Sequence, residues 1–228
     1  MTESLKILKI YRPISLTSCL GKLIERLVKN RLNFFMELWN IIVKQQSGFQ
    51  NNKGTADNLI FFTQKISESL NAKKKACGIF FDISKAFDKV WHNGLIYKLI
   101  KLNIPSYLLK YIVDFLKDRQ FRVSVGEALS EPCNIHCSVP QGSVLGPILF
   151  LLYINDIPLV DSKHKSYSSL FADDLATIFF FKKTGQVKGE INKYLQSLVE
   201  WLFKWRLKMN ATKCCYTIFS ASHQGFTV

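Results

Sequence analysis

The sequence lacks any uninterrupted apolar run that could cross a membrane. Its longest apolar stretch, Val144 to Ile154, is broken by Gly146 and Pro147, whereas a membrane-spanning helix needs roughly 20 consecutive apolar residues. The first residues also lack the basic, apolar and small-residue regions of a signal peptide. We therefore expect a soluble, intracellular protein with no membrane partner.

The cysteine spacing of a disulfide framework is also missing. Of the six cysteines, Cys214 and Cys215 are adjacent and the others follow no regular spacing, which argues against a secreted, disulfide-stabilised domain. Cys133, His136 and Cys137 resemble half of a zinc site, but no second ligand pair of matching spacing follows. Buried or unreactive thiols are the favoured interpretation, and a zinc site is the alternative.

Acidic residues are scarce relative to basic ones. The chain has 31 Lys and Arg against 17 Asp and Glu, a formal net charge of +14. Such an excess favours a polyanionic partner and says nothing about the fold. The basic residues are spread along the chain and do not gather on one amphipathic helix, which disfavours a membrane-surface role. Nucleic acid is the favoured partner, and a merely basic soluble surface is the alternative.

Two adjacent carboxylates, Asp173 and Asp174, interrupt a segment that otherwise has the pattern of an apolar β-hairpin, Ser169 to Ile178. A tight turn with only a structural role favours Asn-Gly or Asp-Gly, because its residues need positive φ. Two like charges beside a core are costly unless they share a cation. Asp82 stands near the end of a second apolar segment, Gly78 to Ile83. The pattern predicts a site for divalent metal.

Neighbouring antiparallel strands would bring Asp82 to the Asp173–Asp174 pair. Mg²⁺ is commonly held by one or two carboxylates together with substrate phosphates. Two such ions about 4 Å apart can activate a 3′-hydroxyl and stabilise a departing pyrophosphate. The alternative is that the three carboxylates cap a turn or a helix.

The apolar periodicity predicts an α+β domain in which a small antiparallel sheet is backed by helices. With 228 residues, 48% of them hydrophobic, the chain suits one large domain or two closely joined subdomains. The predicted helices cover Ser15 to Asn40, Thr55 to Leu70, Leu95 to Leu102, Pro105 to Leu116, Gly142 to Asn155 and Val187 to Leu207. The predicted strands are Ala76 to Ile83, Phe121 to Val125, Asn134 to Val139, the two arms of the hairpin and Tyr216 to Phe219.

Two of the predicted helices have an apolar face at the helical period. In the first helix this face consists of Leu20, Leu23, Ile24, Leu27 and Val28. In the second helix, Leu59, Ile66 and Leu70 are expected to face inward.

Several motifs, in chain order, carry a family resemblance that extends over almost the whole sequence. They are Tyr11 to Leu16, Gln46 to Phe49, Phe81 to His92, Val139 to Pro147 with its continuation Tyr153 to Asp156, Phe171 to Asp174, and Trp205 to Lys213. Together they resemble the reverse transcriptase domain of a non-LTR (LINE-type), jockey-like retrotransposon. The resemblance implies a right-hand polymerase fold with palm and fingers. It further implies that residues 1–228 form one such domain, truncated at both ends and without a thumb, with about 1–75 mainly fingers and about 76–219 mainly palm.

The resemblance also implies a role for each residue that matches a motif. Asp82 and Asp173 would bind two Mg²⁺ ions, for which Mn²⁺ is a substitute. Asp174 would hold metal or the primer end less directly, and the main-chain carbonyl of Ile83 would face a metal. Asp88 and Asp156 also lie in motifs, but the resemblance does not make them metal ligands, and we expect Asp88 to be structural.

The remaining matched residues are implied to contact the nucleotide or the template. Arg12 would clamp the incoming triphosphate, which suits a forked, permanently charged guanidinium. Phe87 would exclude a 2′-hydroxyl, with core packing as the alternative role. Gln141 and Gly142 would border the nucleotide and template, and Lys213 would protonate pyrophosphate unless it is only a solvated charge.

Ser138 departs from the family pattern, because glycine is usual at this position before Val-Pro-Gln-Gly. If the backbone there has positive φ, serine costs on the order of 1 kcal/mol.

The sequence therefore predicts an RNA-directed DNA polymerase, a nucleotidyltransferase that extends a DNA primer on an RNA template with dNTPs and needs no small-molecule cofactor beyond metal. The resemblance places this activity in retrotransposition, in the nucleus and in a cytoplasmic ribonucleoprotein. A catalytically silent, nucleic-acid-binding remnant is the main alternative. A polymerase of the group II intron type has little support, because the extension Val90 to His92 and the tail Tyr153 to Asp156 fit the retrotransposon branch better. The oligomeric state is left open.

Overall fold

The computed structural model of the chain describes residues 15–160 and 166–221. Six helices lie in the described parts: α1 (Cys19–Leu38), α2 (Thr55–Asn71), α3 (His92–Lys101), α4 (Ser106–Leu116), α5 (Gly146–Ile154) and α6 (Thr184–Lys204). A short 3₁₀ helix covers Phe87–Lys89. The strands there are β1 (Lys75–Asp82), β2 (Gln120–Phe121), β3 (Ser124–Val125), β4 (Ala128–Leu129), β5 (Cys133–Asn134), β6 (Tyr167–Phe171), β7 (Asp174–Phe181) and β8 (Cys215–Phe219).

The main sheet has four antiparallel strands in the order β6-β7-β1-β8. Its two central strands, β1 and β7, pair over their full length of eight residues. Both are rich in phenylalanine and β-branched residues, which pack well on a pleated, largely buried surface. The predicted strand Ala76 to Ile83, which carries Asp82 near its end, is therefore confirmed to within one residue at each end, and the two predicted arms of the hairpin and the α+β class are confirmed as well.

Both faces of the sheet are covered, because successive side chains of a strand point to opposite sides. On one face, Phe81 and Phe179 pack against Tyr194 of α6, with ring centroids 6.2 and 5.9 Å apart. On the other face, Phe80 lies 6.1 Å from Phe62 of α2. Helices thus hold the central strands rigidly from both sides.

Helix α5 lies in the centre of the core, and every one of its residues except Pro147 is buried. A helix that is apolar all round has to be enclosed in this way. The prediction that it starts at Gly142 is wrong. Gly142 has a φ of 102°, which is not helical, and the helix begins at Gly146, whose N–H donates to the Ser143 hydroxyl at 2.9 Å.

Two predicted strands are also shorter than expected. The segment Phe121 to Val125 is divided between β2 and β3, and β3 turns back onto β4. Of the segment 134–139, only Asn134 belongs to a named strand, opposite Gln120. Gly126, with a φ of 60°, makes the tight turn between β3 and β4 that alternation alone did not reveal.

The apolar faces of the first two helices are only partly buried. Leu59 is 67% exposed, so the prediction that it faces inward is wrong, whereas Ile66 and Leu70 are half-buried. On α1, the predicted face is exposed except for Val28, which packs against the core. No helix within residues 15–160 or 166–221 is long and apolar enough to cross a membrane.

Candidate active site

Two carboxylates meet at one end of the central strand pair. Asp82 is the last residue of β1, Asp174 is the first residue of β7, and the antiparallel register places them opposite each other. Directly opposed side chains leave the same face of a sheet, with Cβ atoms roughly 5 Å apart. The Asp82 side chain is 28% exposed and Asp174 is exposed. The end of the sheet thus presents a solvent-accessible acidic pair.

Asp173 lies in the turn that joins β6 to β7. Phe171 pairs with Asp174, so Ala172 and Asp173 alone form the turn. Ala172 has a φ of 55°, a left-handed conformation that is costly for a residue with a Cβ. The positive φ that a tight hairpin needs is therefore taken by Ala172, and the half-buried Asp173 follows it directly.

The main chain beyond β1 is tied to the segment that leads into β8. Ile83 forms an antiparallel bridge with Met209, and Asn210 donates its N–H to the carbonyl of Asp82 at 2.8 Å. Neighbouring carbonyls of an extended strand point to opposite sides. Since β1 lies between β7 and β8, the carbonyl of Ile83 points toward the hairpin, the side on which its predicted role requires it.

Lys213 is the basic side chain next to the acidic pair. Its Nζ lies 4.0 Å from Oδ1 of Asp82, and its side chain is 63% exposed. The Lys213 N–H also donates to the carbonyl of Asn210 at 3.0 Å, so the same turn orders Asp82 and Lys213. A flexible, exposed ammonium at this position is able to reach an anion bound at the end of the sheet.

The segment around Gln141 is anchored to the loop that follows β1. Gln141 Nε2 donates to Asp88 Oδ1 at 2.8 Å, and Val139 donates its N–H to the carbonyl of Phe87 at 3.0 Å. The carboxylate of Asp88 therefore holds the side chain of Gln141 in place. The φ of 102° at Gly142 explains why glycine is needed there.

Phe87 has contacts that serve the core and leave part of its ring accessible. It stacks on the buried Phe150 with ring centroids 4.4 Å apart, and its edge contact with Phe49 spans 6.1 Å. Phe87 itself is only half-buried. The ring is therefore held in one orientation by packing, and both its predicted role at the sugar and the core-packing alternative stay predictions.

The donor set at the end of the sheet suits a hard cation that also binds substrate. Within the described parts of the chain, no three His, Cys, Asp or Glu side chains converge into a group that could hold a metal ion unaided. Two carboxylates and a carbonyl are nevertheless typical of a Mg²⁺ site, in which phosphates and water complete the shell. Cys133 and Cys137 are exposed free thiols, and among the described residues neither belongs to such a group.

Arg12 lies outside the described residues, so its predicted contact with the triphosphate stays a prediction. Asp156, in contrast, pairs with Lys98 and accepts a hydrogen bond from Nε1 of Trp201 at 3.3 Å. Asp156 therefore links Lys98 of α3 to Trp201 of α6.

Two buried polar residues hold the main chain of the motif segments, and sequence reasoning did not single out either of them. Glu25 of α1 is 2% exposed, and its Oε2 accepts the N–H groups of Val144 and Leu145 at 2.7 and 3.1 Å. A carboxylate is favourable there, because Val144 and Leu145 directly precede α5 and the dipole of a helix is positive at its N-terminus. The available signal was the spacing from Glu25 to Leu32, which places an acidic residue on the buried side of α1.

Gln46 is the second such residue, and it too is 2% exposed. Its side chain hydrogen-bonds the main chain of Ala172 in the turn between β6 and β7. The sequence showed only that Gln46 begins a recognisable motif. It gave no hint of a contact 126 residues away.

Comparison with known proteins agrees with this geometry. The chain matches the family described as reverse transcriptase (RNA-dependent DNA polymerase) over residues 5–226. It is 36% identical over 220 residues to the probable RNA-directed DNA polymerase from transposon BS of Drosophila melanogaster, covering 93% of this chain and 24% of that protein. It is 37% identical over 216 residues to the RNA-directed DNA polymerase from the mobile element jockey of the same species, covering 92% of this chain and 23% of that protein.

The fold is also similar to that of solved polymerases. Apo telomerase from Candida tropicalis, truncated from its C-terminal domain, superposes with a TM-score of 0.60 at 14% identity, covering 86% of this chain and 41% of that one. The telomerase of that species in complex with a fragment of telomeric RNA gives a TM-score of 0.58, also at 14% identity, covering 87% of this chain and 33% of that one. The predicted right-hand polymerase fold, with palm and fingers, is thereby confirmed.

These matches confirm the resemblance to jockey-like elements drawn from the motifs. The chain spans about a quarter of the length of the curated relatives it matches. Polymerases of this kind depend on divalent metal ions and bind a nucleic-acid template. Because the family match covers nearly the whole chain, the protein belongs to the reverse transcriptase family.

Proposed function

We propose that this chain is the catalytic core of an RNA-directed DNA polymerase, which adds nucleotides from dNTPs to the 3′-hydroxyl of a DNA primer on an RNA template. The observation that carries this proposal is the register that sets Asp82 opposite Asp174, with Asp173 in the adjoining turn. Three carboxylates at one accessible end of a rigid sheet suit catalysis by positioning and charge neutralisation.

Asp82 and Asp173 would hold two Mg²⁺ ions, which Mn²⁺ can replace, with the carbonyl of Ile83 as a further ligand and Asp174 less directly involved. When bound, such ions activate the primer hydroxyl and neutralise the phosphates. The protein contributes rigidity. Asp82 ends a strand that is paired on both sides, and its carbonyl is held by Asn210 at 2.8 Å.

The side chains around the acidic pair suit the remaining parts of the reaction. Lys213, 4.0 Å from Asp82, can give a proton to the departing pyrophosphate. Gln141 and Gly142 border the nucleotide and template, and Phe87 limits access for a 2′-hydroxyl. Arg12 clamps the triphosphate.

The division into subdomains follows the order of elements. Residues of about 1–75 are mainly fingers, since their described part holds α1 and α2 and only the first residue, Lys75, of the main sheet. Residues of about 76–219 are mainly palm, since they hold nearly all of that sheet. A net charge of +14 favours nucleic acid as the partner, and the telomerase similar in fold is in complex with a fragment of telomeric RNA.

Primer extension tests the proposal directly. The chain is incubated with a DNA primer on an RNA template, dNTPs and Mg²⁺, beside its Asp173→Asn variant, and binding of the primer–template is measured in parallel. Extension by the unsubstituted chain and none by Asp173→Asn is the expected result. If neither protein extends the primer while both bind it, the chain is the silent nucleic-acid-binding remnant that the sequence left as the alternative.

A further inference from the structure

The turn that carries Asp173 is held by a side chain from a distant part of the chain. Oε1 of Gln46 accepts the N–H of Ala172 at 2.9 Å and the N–H of Gly48 at 2.7 Å. Its Nε2 donates to the carbonyl of Ala172 at 3.4 Å. One buried amide therefore contacts both main-chain polar groups of the residue that precedes Asp173.

The segment around Gln46 lies along the open edge of the sheet. β6 is the edge strand, and Leu170 within it donates its N–H to the carbonyl of Gln45 and accepts the N–H of Ser47, both at 2.9 Å. Asn58 of α2 joins the two, since it accepts from the Ser47 hydroxyl at 2.8 Å and donates to the Leu170 carbonyl at 3.2 Å. The two main-chain bonds with Leu170 fix the backbone from which the Gln46 side chain reaches the turn, and the hydroxyl of Ser47 takes no part in them.

The turn has a specific need for such support. Ala172 has a φ of 55°, which a residue with a Cβ adopts only when its surroundings impose it. Gly48 also packs against the turn, so closely that an added Cβ would lie 2.2 Å from the nitrogen of Ala172. Gln46 and Gly48 thus confine the turn by hydrogen bonds and by contact.

We propose that Gln46 is a positioning residue of the polymerase site: it clamps Ala172 and thereby fixes the direction in which the Asp173 carboxylate points toward Asp82. This inference rests on the proposed polymerase function. Catalysis by aligned carboxylates is sensitive to displacements of about 1 Å, and ligands are held best by neighbours that are themselves locked by hydrogen bonds. The clamp acts through the main chain and touches no substrate.

Gln46→Met tests the clamp, because methionine has a similar length and volume but lacks both polar groups. Gln45→Met is the matched control, since Gln45 is the exposed neighbour. Ser47→Ala is a second control, which removes a partly buried side-chain hydrogen bond of the same segment without touching the turn. Incorporation of a single dNTP on an RNA template with Mg²⁺ gives kcat and KM for each protein.

We expect Gln46→Met to lower kcat about 10-fold to 100-fold, with the KM for dNTP within about threefold, because nucleotide contacts lie elsewhere. Both controls should stay within about twofold of the unsubstituted chain. Unchanged kcat in Gln46→Met would overturn the inference, and so would an equal fall in Ser47→Ala, which would reduce Gln46 to general packing. If the unsubstituted chain itself adds no nucleotide, it is the proposed function that fails.

Amide hydrogen exchange gives a readout that is independent of catalysis. In Gln46→Met the N–H of Ala172 loses its acceptor, so its exchange should become at least about tenfold faster, while that of Leu170 stays within about threefold. Equal protection of Ala172 in both proteins would overturn the clamp even if activity falls. If Gln46→Met does not fold, Gln46→Asn takes its place, with the same losses expected because an amide that is one methylene shorter does not reach the main chain of Ala172.

Discussion

The backbone of Ser138 is strained, and a single substitution can relieve the strain. Its φ is 111°, and the conformation is fixed because its N–H donates to the carbonyl of Val90 at 2.9 Å and its carbonyl lies 2.8 Å from Nε2 of His92. The backbone at this serine thus has the positive φ under which the departure from glycine was expected to be costly. Non-glycine residues in such regions cost on the order of 1–3 kcal/mol.

Ser138→Gly should therefore raise the free energy of unfolding by about 1 kcal/mol, after the larger backbone entropy of glycine in the unfolded chain is subtracted. Urea denaturation of both proteins measures the difference. Ser124→Gly is the control and should lower stability, because Ser124 does not have positive φ. A loss of stability in Ser138→Gly would show that the serine is not strained.

At Phe87 two roles predict different results for the same substitution. If the ring limits access to the 2′ position, Phe87→Ala should lower the preference for dNTP over the matching rNTP by about tenfold or more, since the clash that rejects the hydroxyl is gone. The ratio of the two kcat/KM values measures it and does not depend on how much protein is folded. Phe121→Ala, at a half-exposed phenylalanine of β2, should leave the ratio unchanged. An unchanged ratio in Phe87→Ala would leave only core packing.

At the scale of elements, the sequence was informative wherever local pattern and burial agree. An apolar run that ends in a charge predicted β1 and the hairpin, because the charge can only stand where the strand leaves the core. The pattern did not predict the burial of Leu59 or of the apolar face of α1 correctly, because helical periodicity identifies a face but does not show whether another element covers it. It also failed at Gly126 and Gly142, whose positive φ interrupts elements that alternation or apolarity seemed to continue.

The buried ammonium of Lys98 contacts residues from three parts of the fold. It projects from α3, pairs with Asp156 beyond α5, and lies 4.7 Å from the ring of Trp201 in α6 and 3.7 Å from that of Trp205. Burial lowers the pKa of Lys98 from 10.5 to about 8, although Asp156 opposes the shift. Desolvation of the ammonium therefore outweighs its ion pair.

This shift predicts how stability changes with pH. Between pH 8 and 10.5 the unfolded chain binds more protons at Lys98 than the folded one, so this group makes unfolding less favourable as pH rises through that window. Lys98→Met removes the effect. The free energy of unfolding of the unsubstituted chain should therefore increase relative to Lys98→Met between pH 8 and 10, as measured by urea denaturation at each pH.

Lys101→Met is the control for this titration, because Lys101 is exposed on the same helix. The pH-dependent difference should be larger for Lys98→Met than for Lys101→Met. If the stability difference between the unsubstituted chain and Lys98→Met does not change with pH, or changes in the opposite direction, the lowered pKa of Lys98 is contradicted. In that case the ion pair with Asp156 and the aromatic rings stabilise the charged lysine at least as well as water does.

For the whole molecule, the long-range contacts of the site could not be predicted from sequence. Asp82 and Asp174 meet only because β1 pairs with β7 in one particular register, and a slip of two residues would preserve the same alternation. Gln46 and Ala172 are 126 residues apart, and Glu25 and Leu145 are 120 residues apart. Such pairs depend on how helices and sheet pack together, which no local pattern encodes. The motif resemblance supplied the order of the blocks and left these contacts unspecified.

The net charge of +14 is also a property of the whole molecule, and it predicts salt-dependent binding. Affinity for a primer–template should fall at least about tenfold between 50 and 200 mM salt, because bound cations are released from the phosphates. Fluorescence anisotropy with a labelled primer–template measures this. Asp173→Asn should bind no more weakly than the unsubstituted chain, since it removes a negative charge. Affinity that does not change with salt would contradict nucleic acid as the partner.

We assign the end of the central strands as a metal-dependent polymerase site. The rate of nucleotide incorporation tests this assignment most directly. Single-turnover incorporation of one dNTP on an RNA template with Mg²⁺ is measured for the unsubstituted chain, for Asp82→Asn and for Asp118→Asn, a control at an exposed loop aspartate. Asp82→Asn should lower the rate at least about 100-fold, with primer–template affinity retained, and Asp118→Asn should leave the rate within about twofold. A rate for Asp82→Asn equal to that of the control would contradict the assignment.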